Sequence, residues 1–177
     1  MRPLKILFTG TVGAGKSTAI AAASEIPTAK TEVAATDLTR FTKEHTTVAI
    51  DYGECRLEGG QKVVLYGTPG QDRFDFMWKI LAQGVTGMVV LVDNSRTDPL
   101  ADLSVYLNAF PELADRGAFV VGVGRMDNSP QPALGRFHEL LMRRGQIAHV
   151  IRADVRKRTD VMMLLEALLT QTGSQPQ

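Results

Sequence analysis

Eight positions near the start of the chain, Gly10-Thr11-Val12-Gly13-Ala14-Gly15-Lys16-Ser17, follow the spacing GxxxxGKS. The chemistry such a run can do is to hold phosphate. Gly10, Gly13 and Gly15 permit backbone angles that a Cβ forbids and let the main chain approach a ligand closely. The N–H groups of the loop, through Ala14 and Lys16 to Ser17 and Thr18, then point with the positive end of the following helix at β- and γ-phosphates. Lys16 is placed to reach those phosphates as a compact cation. Ser17 is placed to ligate a Mg²⁺ that bridges them, because that ion prefers hard oxygens and takes few from protein.

Such a loop works only between a strand and a helix, and both are legible. Leu4-Lys5-Ile6-Leu7-Phe8-Thr9 is an apolar run short enough for a buried strand, and Thr18-Ala19-Ile20-Ala21-Ala22-Ala23 continues as a helix ending near Pro27. Thr28 to Thr46 is polar, rich in threonine (Thr31, Thr36, Thr39, Thr42, Thr46) and weakly periodic. A connection of that length inside a compact domain is expected to be a mobile loop ordered by a ligand.

Thr47 to Leu57 alternates as a strand, Glu58-Gly59-Gly60 makes a hairpin turn, and Gln61 to Tyr66 returns antiparallel to it. Gly67-Thr68-Pro69-Gly70-Gln71-Asp72-Arg73-Phe74 breaks the pattern before a helix through Ala82. From Gly87 onward, apolar runs without alternation (Met88–Val92, Ala118–Val123, Ile147–Ile151) are separated by helical stretches (Leu100–Leu113, Leu134–Arg143, Val161–Leu169). That order predicts an α/β protein with a mostly parallel six-stranded sheet, one antiparallel strand, and helices on both faces. Ligands of such sheets bind at the carboxyl ends of the strands.

The chain has 177 residues, 44% of them hydrophobic and 22% charged, which suits one soluble domain, here expected over 1–172 with a short flexible tail at 173–177. Its formal net charge is +1, from 20 Lys+Arg and 19 Asp+Glu, so no general field draws it to nucleic acid or anionic lipid. A single cysteine, Cys55, excludes an internal disulfide and fits a reducing compartment. The start of the chain shows no secretory or myristoylation signal and its end no prenylation cysteine. No apolar stretch reaches the roughly 18 residues of a membrane span. A cytoplasmic protein without a membrane anchor is expected.

With these motifs in place, the sequence resembles the Ras-like small GTPases over nearly its whole length, most closely the bacterial MglA-like branch. The resemblance rests on Gly10–Ser17, on Thr47-Val48-Ala49-Ile50-Asp51-Tyr52-Gly53, on Gly67-Thr68-Pro69-Gly70-Gln71, on Asp127 after a strand, and on Ala153-Asp154-Val155-Arg156 before the last helix. It implies that Thr47, with Thr46 as the near alternative, is the first-switch threonine that joins Mg²⁺ and senses the γ-phosphate. It implies that the Gly70 N–H contacts the γ-phosphate and that Gln71 orients the attacking water. Asp127 would accept two hydrogen bonds from guanine, a filter adenine fails because it presents no such donor pair; the residue also reads as a helix N-cap or turn.

Three positions depart from the family pattern. Gly67 stands where an aspartate ends the third strand in Ras-like proteins, so the usual carboxylate behind Mg²⁺ is missing; Asp93, ending another buried strand, reads either as a Walker-B-like substitute or as a turn residue. Asn-Lys of the base motif is replaced by Gly124-Arg125, leaving Arg125 to lie over the base with its aliphatic stem. At Asp154-Val155-Arg156 only backbone, that of Val155, is offered to the guanine carbonyl. No arginine finger is obvious, with Arg40 and Arg73 as candidates in cis.

The resemblance therefore implies a GTP-binding switch, hydrolysing at roughly 10⁻⁴ s⁻¹ alone and about 10⁵-fold faster with a cation from a partner. Its moving parts would be segments 28–47 and 67–74, and its partners a roadblock-type regulatory protein and further effectors. A nucleotide-binding scaffold with negligible hydrolysis and an ATP-dependent phosphotransferase are the alternatives.

Overall fold

In the computed structural model the described residues are 3–34, 47–69, 75–127 and 133–173. The central strands are the apolar ones. β1 (Leu4–Gly10) lies between β4 (Lys62–Gly67) and β5 (Gly87–Asp93), parallel to both. Ile6, Leu7 and Phe8 are all fully buried, as are Met88, Val89 and Val90, because residues of either parity meet helices. On one face Ile6, Phe8, Val89 and Leu91 pack with α1 (Lys16–Ala23) and α6 (Arg158–Thr172). On the other Leu7, Met88, Val90 and Val92 meet α2 (Asp75–Leu81), α3 (Pro99–Ala109) and α5 (Leu134–Arg143).

The sheet has seven strands, in the order β2-β3-β4-β1-β5-β6-β7, where the expectation was six. The extra strand is β2 (Ala29–Ala34), which pairs antiparallel with β3 (Thr47–Arg56). It occupies the first part of the stretch read as a polar loop. An edge strand needs no continuous apolar face, and charged residues such as Lys30 and Glu32 suit an edge, so its periodicity is weak in sequence. β3 is the one strand that runs against its neighbours, being antiparallel to β4 as well. The hairpin turns through Gly59 and Gly60, both at positive φ. Cys55 is buried on β3, and burial pushes its thiol up to about 11.

Two further boundaries differ from the sequence reading. The helix expected over Leu100–Leu113 is two helices, α3 and α4 (Pro111–Asp115), because Pro111 has no N–H to continue the ladder and its ring clashes with the preceding turn. Asp98 caps α3, its Oδ1 accepting from the Ala101 N–H at 3.0 Å. The last strand, β7 (Val150–Arg152), is shorter than expected and pairs with β6 (Phe119–Gly124) only from Val150 onward. Ile147, assigned to it from its apolar side chain, is 87% exposed. Among the described residues no helix is long and apolar enough to cross a membrane.

Candidate functional site

The strand order reverses around β1, and ligands of open α/β sheets bind beside such a point, beyond the carboxyl ends of the strands. A cavity of about 1120 Å³ opens there, lined by the loop between β1 and α1, the ends of β5 and β6, and the turn after β7. Its volume is of the order of a small-molecule site.

At one end lies the glycine loop. Gly10 has φ 141°, and a Cβ there would stand 2.3 Å from the Leu91 carbonyl oxygen, so only glycine lets β1 leave the sheet against β5. Gly15 caps α1 in the left-handed region at φ 99°, with no side chain bonding to the helix start. An α-helix begun this way presents its first N–H groups to an anion. Lys16 is buried, and its Nζ donates to the Gly10 carbonyl at 2.7 Å and the Thr11 carbonyl at 2.8 Å. Burial lowers the Lys16 ammonium to about 8, with the Asp51 carboxylate pulling the other way. The group is therefore still charged at neutral pH.

Ser17 Oγ donates to Asp51 Oδ2 at 2.5 Å. Asp51 belongs to β3, one register step past the Tyr52–Tyr66 pair and so beside Gly67. Among the described residues no cluster of three or more His, Cys, Asp or Glu side chains forms a metal centre. Ser17 with Asp51 offers hard oxygen, which fits Mg²⁺ with few protein ligands.

The opposite end is built from ion pairs, one on the buried Asp93 and one on the exposed Asp127. Arg125 adopts φ 54°, unusual for a side chain with a Cβ, and its guanidinium pairs with Asp93 and donates to the Gly13 carbonyl at 3.2 Å. It thus bridges β6 to the glycine loop. Asp93 Oδ1 also accepts from the Ser95 N–H at 3.0 Å and Ser95 Oγ at 2.6 Å. Burial raises the Asp93 carboxyl, but these bonds and Arg125 outweigh it and hold the group below its ordinary value. Of its two sequence readings, the turn role is the one the structure supports.

Asp127 lies on the cavity wall with its side chain 74% exposed and paired to Arg152 of β7. The Asp154-Val155-Arg156 turn follows. Asp154 accepts from the Arg156 N–H and from its guanidinium, the cause of a carboxyl lowered to about 2. The Asp154 N–H donates to Asp160 Oδ2 at 2.9 Å, which leaves the Val155 N–H as the one of these three without a partner among the described residues. Val155 also closes on the loop: a Cβ on Gly15 would fall 2.7 Å from Val155 Cγ2.

The structure thus gathers Gly13, Ala14, Gly15, Lys16, Ser17, Thr18, Arg125, Asp127 and Val155 around one cavity, with Gly10 at the root of the loop. Thr47 begins β3, its backbone opposite Ala34. Gly70, Gln71, Thr46, Arg40 and Arg73 lie outside the described residues. Nearby, the Thr68 N–H donates to the Phe8 carbonyl at 2.9 Å and Trp78 Nε1 to the Pro69 carbonyl at 3.1 Å, so the exit of β4 is tied to β1 and α2. Sequence reasoning missed Asp51 and Arg152. A hairpin centred on Gly59 sets Asp51 opposite Gly67, so the carboxylate missing from one strand was present on its neighbour.

A glycine loop at the switch point of a mostly parallel sheet with one reversed strand defines a P-loop nucleotide-binding protein with the fold of a G domain. The structure is similar to the G domain of the T. maritima FeoB iron transporter, with a TM-score of 0.66 at 13% identity, over 98% of this chain and 100% of that one. A family described as "conserved hypothetical ATP binding protein" matches residues 30–170, and the chain belongs to that family. It is also 32% identical over 85 residues to the uncharacterized protein MJ1339 of Methanocaldococcus jannaschii, a match covering 47% of this chain. The aligned part spans about half of that relative, 54% of its length.

Proposed function

We propose that the chain is a GTP-binding switch of the MglA-like kind that hydrolyses GTP slowly unless a partner assists. The observation that supports this best is the placing of Asp127 and the unpartnered Val155 N–H on the same cavity as the phosphate loop. A carboxylate there pairs with guanine's ring N–H and amine, and a backbone N–H with its carbonyl; adenine would leave both unpaired.

In this reading Lys16 and the loop N–H groups hold the β- and γ-phosphates, and Arg125 walls the space between loop and base. Ser17 and Thr47 hold Mg²⁺, which when bound neutralises phosphate charge. Gly70 reports the γ-phosphate through its N–H, and Gln71 orients the attacking water. Loss of the γ-phosphate would free Thr47 and Gly70, releasing segments 28–47 and 67–74 toward effectors, a roadblock-type regulator among them.

Two observations favour a second reading, in which adenine nucleotides are the ligand. Asp127 is tied to Arg152, and the family's description names ATP. Calorimetry with Mg²⁺ and GDP, a non-hydrolysable GTP analogue and its ATP counterpart separates the two. Preference for guanine that vanishes in Asp127→Ala supports the switch. Equal affinity for both bases supports the second reading, and partner binding indifferent to nucleotide supports a scaffold.

A further inference from the structure

The strand that normally brings a carboxylate to the metal side of such a site ends here in Gly67, and the space beside it is filled from elsewhere. A Cβ added to Gly67 would lie 3.3 Å from both Asp51 Cβ and Asp51 Oδ2. The Asp51 carboxylate therefore sits where a side chain at the end of β4 would go, having arrived from β3 across the hairpin. From there its Oδ2 accepts a hydrogen bond from the Ser17 hydroxyl at 2.5 Å, and its charge is felt at the Lys16 ammonium. A serine whose one proton is given to a carboxylate keeps its oxygen lone pairs for a cation and is the better ligand for it. Asp93, which ends β5 on the cavity wall, is already committed to Ser95 and Arg125.

Building on the reading that Mg²⁺ and a nucleotide share this cavity, we propose that Asp51 is the positioning carboxylate of the metal site. It orients and polarises Ser17 in place of the residue that Gly67 lacks. The two positions exchange roles: β4 gives up its side chain, and β3 supplies one at the opposite register. β3 begins at Thr47, so the strand that carries the first-switch threonine also carries the carboxylate behind Ser17. Displacing β3 would move both at once.

The test is the Mg²⁺ affinity of protein loaded with a fluorescent GDP analogue, read from nucleotide dissociation across EDTA-buffered Mg²⁺ concentrations. It is made on wild type, Asp51→Asn, Asp51→Ala, Ser17→Ala, the Ser17→Ala/Asp51→Ala pair and Asp93→Asn. Both Asp51 variants are expected to weaken Mg²⁺ by roughly 10- to 100-fold, as loss of an outer-shell partner does. The Ser17/Asp51 pair should lose less than the sum of its single changes, because Asp51 acts through Ser17. Dissociation in excess EDTA should stay close to wild type, which shows that the near-isosteric Asp51→Asn keeps a folded site. Mg²⁺ affinity of both Asp51 variants within about two-fold of wild type, full additivity with Ser17→Ala, or a loss seen in Asp93→Asn instead would each overturn the proposal. A wild type that binds nucleotide without regard to Mg²⁺ overturns it while leaving nucleotide binding intact. A wild type that binds no nucleotide overturns the functional reading as well.

Discussion

At the phosphate end of the cavity Lys16 is 8% exposed and held by two backbone carbonyls, while at the base end the Asp127 side chain is 74% exposed and held by one arginine. The first end is made of main chain and close packing, with glycines where a Cβ would strike a neighbour. The second is made of side chains, and the Arg152–Asp127 pair among them faces solvent on both sides, where such a pair contributes about 0–1 kcal/mol. The contrast separates what must be rigid from what can be exchanged. On the proposed reading, phosphate would meet main-chain geometry that exists before the ligand arrives, whereas a base would meet a carboxylate that must first leave its arginine.

The strongest attack on that contrast is at the rigid end. Gly10→Ala places a methyl 2.3 Å from the Leu91 carbonyl at φ 141°, combining backbone strain with a clash that backbone cannot relieve. A loss of about 3 kcal/mol or more in unfolding free energy is expected from chemical denaturation. An alanine variant of near wild-type stability would mean the loop is as adaptable as the base end.

Next in size is the buried lysine. The folded protein sheds the Lys16 proton near pH 8, whereas the unfolded chain holds it to about 10.5. Below pH 8 both states bind the proton and the cost of burying the charge is full. Between pH 8 and 10.5 the unfolded state binds more protons, so this group's contribution to stability rises with pH, by roughly 3 kcal/mol in total. Subtracting a Lys16→Met variant isolates it from Cys55, whose raised thiol acts in the opposite direction over the alkaline range. Phosphate would restore the lysine's charge, so nucleotide affinity should fall as pH rises above about 8, with proton uptake measurable by calorimetry in buffers of different ionisation enthalpy.

The same contrast explains what could be read in sequence. The glycine loop was legible because its spacing is the mechanism, and the central strands because burial on both faces leaves an unbroken apolar run. β2 was not, since an edge strand is stabilised by its ladder with β3 rather than by an apolar pattern. Ile147 was misplaced for the converse reason, an apolar side chain left in solvent. Asp51 was hidden because its role depends on register across a hairpin rather than on any local motif, although the turn at Gly59 defined that register. Arg152 reaches Asp127 from another strand, a meeting that no spacing in the chain announces.

At the base end, Asp127→Ala should remove the preference for guanine over adenine while leaving phosphate binding in place. Because the carboxylate is exposed, the expected loss in guanine affinity is about 10-fold, far below what a buried unpaired group would cost. Competition of GDP against ADP on the variant measures it. A loss of several thousand-fold would show that the base end closes into a dry pocket around the ligand.

The smallest effect should come from Arg152→Ala, and its sign carries the information. The pair is solvent-facing on both sides, with side-chain exposures of 59% and 74%, so unfolding free energy should change by less than about 1 kcal/mol. Guanine no longer has to displace the arginine from Asp127, so nucleotide affinity should rise, by at most about five-fold at low salt. Salt screens the pair in wild type, so the gain should shrink as ionic strength increases. Calorimetry at low and high salt reads both quantities. A ten-fold fall in affinity instead would place Arg152 on the nucleotide itself, and the base end would then be as preorganised as the loop that holds phosphate.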